Sequence, residues 1–389
     1  MEEMIVCQVC GEHTHLVASH LKTKHPEMDL AAYESAYPMA PTMSDAAKRK
    51  LAERQPGAAP AVVANLGAAV AAKAAAATTK QPFHELFGFA KTNAEAMSAR
   101  GTPINITVLD RAALPQGAAG LIPERDTSYV FDASLTKTVV MGLEMNVPIY
   151  LHGHAGVGKT SLFEQVAAIT GRPYTRVQHT ANMEEADVEG RWVVNAEGKM
   201  EFLNGPLTDA MEQGHIYCAD EYDFASPMIL SVYQAVLEGK PLFIKAANKK
   251  VFPHKDFRFC ASGNTNGAGD ESGLYQGTMM QNAANYERFG IVEKVNYMPQ
   301  KNEIEILTSK TTISPGDAKQ VVDFATKMRE AFDKKDVAIP MSPRSTLNAA
   351  KLGVARADMK YGITVAYINR LPATSADAAR QVMQRIFGS

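Results

Sequence analysis

The sequence predicts an α/β chain built on a phosphate-loop core, a parallel sheet with flanking helices, and preceded by a small N-terminal metal-binding module. Three observations carry this expectation. A full G-x-x-x-x-G-K-[ST] motif spans Gly153 to Thr160, between an apolar strand-like run at 147–151 and a helical stretch at 161–170. Strand-like runs then recur at 174–178, 216–219, 257–262 and 291–297 with helical stretches between them, the alternation of a wound sheet. Near the N-terminus, Cys7, Cys10, His20 and His25 form C-x2-C-x9-H-x4-H, a ligand set suited to closed tetrahedral zinc.

Bulk properties bound the rest. The 389 residues suffice for two or three domains, and a formal net charge of −2 gives no global basic field to attract nucleic acid. Four cysteines do not make a disulfide framework, and Cys218 and Cys260 lie in apolar runs where buried, inert thiols are expected. The Ala-rich stretch at 58–77 contains Pro60, Asn65 and Lys73 and is built of methyl groups, which makes no membrane span. The N-terminus lacks the pattern of a secretory signal, so a cytoplasmic protein is expected, without membrane attachment.

Residues 1–54 read as the zinc module. His20 and His25 fall on neighbouring turns of one helix, the cysteines come from a preceding knuckle, and His13 and His15 are alternative third ligands. So short a segment buries little else, so Zn²⁺ binding would supply most of its folding free energy. The stretch 20–38 resembles the Ros/MucR type of bacterial zinc finger, a DNA-binding family, which implies nucleic acid as a partner. Yet residues 1–56 carry six cations against eight anions, few charges for neutralising phosphates. A protein-docking knuckle and a DNA-binding finger are equal readings.

Residues 55–80, dominated by alanine, read as a flexible linker, and residues 81–119 as a lead-in whose apolar clusters pack on the core or a neighbouring subunit. The α/β core is placed at 120–299. It opens with Leu135, Val139, Val140, Leu143 and Met145 at helical spacing.

The binding loop comprises Gly153, His154, Ala155, Gly156, Val157, Gly158, Lys159, Thr160 and Ser161. Its backbone N–H groups and the following helix N-terminus suit phosphate oxygens. Lys159 would neutralise the β- and γ-phosphates of ATP, and the Thr160 hydroxyl would hold Mg²⁺. The apolar run ending in Asp220-Glu221, expected on a neighbouring strand, supplies a carboxylate for Mg²⁺ (Asp220) and a general base for the attacking water (Glu221). After the next strand, Asn264 rather than Asn266 is placed to orient that water, since Asn266-Gly267 reads as a plain turn.

Together these residues resemble the MoxR branch of the AAA+ ATPases, and within it the cobaltochelatase small-subunit (CobS) type. The resemblance runs from about residue 123 to 345. It rests on the phosphate loop, Asp220-Glu221-Tyr222-Asp223, Asn264-Thr265-Asn266-Gly267, the block from Gly269 to Thr278, Glu287-Arg288-Phe289 and Met341-Ser342-Pro343-Arg344. It implies a helical lid at 300–389, a homo-oligomeric ring that is usually hexameric, and ATP at subunit boundaries. Asn264 would be sensor one, Arg288 a finger acting in trans, and Arg344 sensor two. It also implies a β-hairpin at 190–202 facing a pore or partner, and a von Willebrand A domain partner (CobT-like) in a metal-chelatase system. The expected function is an ATP hydrolase that remodels or activates a partner protein. The alternative is a DNA-tethered or DNA-remodelling ATPase reading through the zinc module.

Overall fold

The computed structural model describes residues 4–37, 40–44, 78–115, 117–270 and 273–388. The chain divides into two compact units, residues 1–74 and 75–389. The linker expectation for 55–77 lies outside the described residues.

In the first unit, strands Ile5–Val6 and His13–Thr14 form a short antiparallel hairpin, followed by helices Val17–Lys24 and Leu30–Ala36. Asp29 caps the second helix by accepting from Ala32 N–H at 2.7 Å. Among the described residues, the apolar core is Cys7, Val17, Leu21 and Tyr33 with a few half-buried neighbours. So small a core needs a further staple.

The second unit is organised by a five-stranded parallel sheet in the order Ile291–Lys294, Ile149–His152, Arg258–Gly263, Ile216–Asp220, Tyr174–Gln178. Side chains alternate across it, as a strand's period of two demands. Ile149, Leu151, Ile216, Cys218 and Cys260 face one core with Val139, Phe163 and Val166; Tyr150, Tyr217, Ala219, Phe259 and Ala261 face the other with Tyr222, Tyr233 and Phe289. Both faces are therefore covered, as a parallel sheet requires. Burial pushes the Cys218 thiol up to about 12, which fits an inert structural cysteine.

Three expectations are corrected. The strand carrying Asp220 does not neighbour the phosphate-loop strand: Arg258–Gly263 lies between them, its Cys260 paired with Ile149 on one side and Cys218 on the other. The last strand stops at Lys294 rather than 297: its partner strand ends at His152, whose carbonyl accepts a last bond from Val295 N–H at 2.7 Å, and Pro299 then caps the next helix. Residues 78–80, assigned to the linker, begin the strand Thr78–Pro82, which pairs with Asn105–Leu109. That ribbon is anchored by Glu144, which accepts from Lys80 Nζ at 2.7 Å and from Thr107 N–H at 2.9 Å. Phe83, Phe87, Ala96 and Ile106 pack on the core face of the sheet, so the lead-in is part of this unit.

Residues 300–388 are helical: Gln300–Lys310, Pro315–Asp333, Pro343–Arg356, Met359–Ala366 and Ala373–Phe387 around their own core. Glu303 and Arg329 join the first two through two parallel hydrogen bonds of 2.8 Å, both side chains buried. Ser342 caps the third helix, with Pro343 as its first residue. Among the described residues no helix is long and apolar enough to cross a membrane.

Candidate functional site

Four of the five strands deliver their C-terminal ends to one cleft of about 590 Å³, where parallel α/β sheets place ligands. The phosphate loop forms its floor. Gly153 has φ 148°, and a Cβ there would lie 2.3 Å from the Val295 carbonyl oxygen, so only glycine fits. Gly158, with φ 99°, turns the chain into the helix Lys159–Thr170, whose N-terminus faces the cleft.

Lys159 is buried and its ammonium donates to Gly153 O at 2.7 Å, His154 O at 3.1 Å and Asn264 Oδ1 at 3.2 Å. Burial lowers its pKa to about 8, against the opposing pull of Asp223, Asp220 and Glu221. The Thr160 hydroxyl donates to Asp220 Oδ1 at 2.8 Å, and the Ser262 hydroxyl donates to the same oxygen. Arg176 Nε donates to Asp220 Oδ2 at 2.8 Å. Burial alone would raise the Asp220 pKa; the bonds from Ser262, Thr160 and Arg176 outweigh it and hold the carboxylate ionised below its usual range. Hard oxygens of this kind, a hydroxyl beside an ionised carboxylate, are donors that suit Mg²⁺.

Glu221 sits at the cleft in the left-handed region, φ 52°, where a non-glycine residue is strained. Its Oε2 accepts from Gln178 Nε2 at 2.6 Å. Asn264 is fixed from behind: Asp223 Oδ2 accepts from Asn264 N–H at 2.8 Å and from Thr265 N–H and Oγ1 at 2.8 and 2.9 Å. Tyr150 closes the same turn by donating to Thr265 O at 2.9 Å. Arg344, near the N-terminus of Pro343–Arg356, lines the cleft opposite, and the lid meets the loop closely: a Cβ on Gly156 would lie 3.1 Å from Ser342 Cβ. Tyr129, Val130, Met298, Ile306 and Leu347 make an apolar end.

Arg288 is not on the cleft. Its Nε donates to Glu238 Oε1 at 2.7 Å and its Nη1 to Ala284 O at 2.5 Å. In the first unit, the ligand atoms of Cys7, Cys10, His20 and His25 lie within 4.8 Å of one another. Cys10 Sγ is 3.1 Å from His20 Nε2, and the buried His25 Nε2 has no protein partner. His15 instead bonds Ser44 Oγ at 2.8 Å, and His13 lies exposed on the hairpin; neither belongs to the cluster.

The comparisons fit this geometry. The model for the AAA domain of the dynein-related subfamily matches residues 148–302, and that for the CbbQ/NirQ/NorQ C-terminal region matches 303–388. The chain is 30% identical over 276 residues to the aerobic cobaltochelatase subunit CobS of Sinorhizobium sp, covering 69% of this chain and 83% of that protein. This chain belongs to the MoxR/CobS family of AAA+ ATPases.

It is also 25% identical over 280 residues to the gas vesicle ATPase GvpN of Ancylobacter aquaticus, covering 66% and 73% of the two chains. Among solved structures, the RuvB Holliday junction branch migration motor of Thermotoga maritima matches at 15% identity over 69% of this chain and 75% of that one, with TM-score 0.41. In this MoxR/CobS-family member, sequence reasoning reached the phosphate loop, Asp220, Glu221, Asn264 and Arg344, which the fold brings to one cleft. It missed the residues that hold them. Arg176 and Gln178 are two apart on a strand the sequence did reveal, so they share a face, but that strand's place beside Asp220 was not legible. Asp223 stood inside the Asp-Glu-Tyr-Asp run, with no sign that it would turn toward residues forty positions on.

Proposed function

We propose that this chain is a Mg²⁺-dependent ATP hydrolase that works as a ring, most simply a hexamer, and converts ATP turnover into remodelling of a partner protein. One observation carries the reading: Lys159, Thr160, Asp220, Glu221, Asn264 and Arg344 converge on a single cleft from four separate segments. Lys159 and the loop amides would hold the triphosphate, and Thr160 and Asp220 would hold Mg²⁺, which would supply charge neutralisation to the phosphates. Glu221 would take the proton of the attacking water and Asn264 would orient that water. Arg344 would reach the γ-phosphate from the lid, so its loss on cleavage would loosen lid from core. Arg288 would serve the adjacent subunit's cleft, consistent with its position outside its own.

The hairpin Gly190–Val194 and Met200–Asn204 displays Trp192, Val194, Met200 and Leu203 at its surface. It is the proposed contact for the partner, of the von Willebrand A type that the resemblance implies. The N-terminal cluster suits Zn²⁺ on two grounds: two thiols and two imidazoles gathered at ligand spacing, and a buried ring nitrogen on His25 otherwise without a partner. Zinc there would knit a module whose apolar core is too small to hold alone.

The test is steady-state ATP hydrolysis by the full chain and by Glu221→Gln, with particle mass measured in both. Turnover should vanish in the variant while ATP binding persists and the assembly locks; undiminished hydrolysis removes Glu221 as base. A strictly monomeric particle in ATP removes the ring.

A further inference from the structure

The block from Gly269 to Thr278, prominent in the sequence, has no part in the scheme above. Its Tyr275 reaches back across the sheet to the phosphate loop. The hydroxyl accepts from Ala155 N–H at 3.1 Å and lies 2.9 Å from His154 Nδ1. His154 is half-buried and stacks on Tyr297, ring centroids 5.7 Å apart and planes 9° from parallel. Burial, then Lys294 and Lys159, depress its pKa, so the ring is neutral near pH 7 and Nδ1 can accept the phenol proton.

The geometry places Tyr275 opposite Lys159 across a single peptide unit. In a trans peptide, C=O and N–H point in opposite directions from one rigid plane. The His154–Ala155 peptide has its N–H on Tyr275 and its C=O on the Lys159 ammonium, at 3.1 Å each. Fixing the amide therefore fixes the carbonyl that steers the ammonium. Tyr275 is itself held: its N–H donates to Asp270 Oδ2 at 2.6 Å, and Thr278 N–H and Oγ1 both donate to its carbonyl at 3.0 Å. Downstream, Met279 N–H donates to Asp223 O at 2.7 Å, tying the segment to the turn that sets Asn264.

We propose that Tyr275 is a positioning residue for Lys159: it orients the His154–Ala155 peptide so that the ammonium is aimed at the terminal phosphates. This inference rests on the ATPase reading of the cleft and extends it to the Gly269–Thr278 segment. Its consequence is specific. Lys159 would meet the γ-phosphate as well as the β-phosphate, and only ATP carries the former, so loss of the Tyr275 hydroxyl should weaken ATP binding more than ADP binding and more than it weakens the fold.

The experiment uses the full chain and Tyr275→Phe, which keeps the ring and removes only the hydroxyl. Turnover number, ATP and ADP dissociation constants and the melting temperature of nucleotide-free protein are measured together. A misaimed reacting group costs on the order of tenfold or more in rate. The expected result is turnover lower by about tenfold and an ATP-to-ADP affinity ratio lower by about threefold, with melting temperature unchanged. Wild-type turnover and affinity ratio in the variant would overturn the proposal. So would an equal fall in ATP and ADP affinity with a lowered melting temperature, which marks a structural role. Wild-type protein without ATP turnover would sink the ATPase reading instead, and the affinity ratio would still decide Tyr275.

Discussion

Gln178 Nε2 donates to Glu221 Oε2 at 2.6 Å, so the last residue of an edge strand holds the carboxylate proposed as general base. The bond turns that carboxylate toward the edge of the sheet and occupies one lone pair that water would need. A hydrogen bond to a charged group contributes roughly 1.5–3 kcal/mol, and this exposed one belongs at the low end, enough to shift the orientation about tenfold. Gln178→Ala should therefore raise basal ATP turnover severalfold, by up to about tenfold. A decrease would mean that Gln178 orients Glu221 for the reaction instead of restraining it.

Arg288 rests on Glu238, which also accepts from Lys240 at 2.5 Å. If Arg288 acts on a neighbour's ATP, Arg288→Ala should reduce turnover by about 10³ while leaving nucleotide affinity within a few-fold. Mixing Arg288→Ala with Glu221→Gln protein should restore part of the activity, since some boundaries then pair an intact base with an intact finger. No complementation at any mixing ratio would place Arg288 outside the chemistry.

Asp223 is fully buried, and its Oδ2 accepts three hydrogen bonds from the Asn264–Thr265 turn. Asp223→Ala should cost about 3 kcal/mol of stability by orphaning those donors, and should lower turnover by displacing Asn264. Asp223→Asn retains an accepting oxygen, so it should recover most of the stability. Thermal melts of both variants check this order.

Burial sets the Lys159 pKa at about 8 in the nucleotide-free protein. Phosphate oxygens favour the ammonium, so ATP binding must raise that pKa and, near and above pH 8, take up a proton. Affinity should accordingly be fullest below pH 8 and decline as pH rises through it. Calorimetry in two buffers of different ionisation enthalpy at pH 8.5 should reveal the uptake; a pH-independent dissociation constant from 7 to 9 would contradict it.

For the N-terminal module, elemental analysis of purified protein should find one zinc per chain, and Cys10→Ser should lose it. Residues 1–74 form a compact unit of their own and should melt in a separate transition; stripping the metal should abolish that transition while ATP turnover by the second unit persists. A metal-free native protein with that transition intact would refute the assignment.

The sequence by itself determined the local chemistry. Gly153 to Ser161 announced a phosphate cradle because glycines, lysine and a hydroxyl at fixed spacing suffice for that geometry within one continuous segment. The carboxylates at the end of one strand, and the gathering of two cysteines and two histidines near the N-terminus, were legible for the same reason: short spacings bring those groups together. Apolar runs separated by helical stretches likewise revealed the three central strands, because side chains in the middle of a covered parallel sheet are apolar on both faces.

Tertiary structure alone decided which strands lie side by side and what supports the chemistry. Strand order is set by helices packing across the sheet, a long-range choice that no local pattern records, and it placed Arg258–Gly263 between Ile149–His152, which leads into the phosphate loop, and the strand that ends at Asp220. From that order follow the contacts of Arg176 with Asp220, Gln178 with Glu221, Asp223 with Asn264 and Tyr275 with Ala155. Each joins groups distant in sequence through a hydrogen bond of about 3 Å, a precision that only the packed interior can impose.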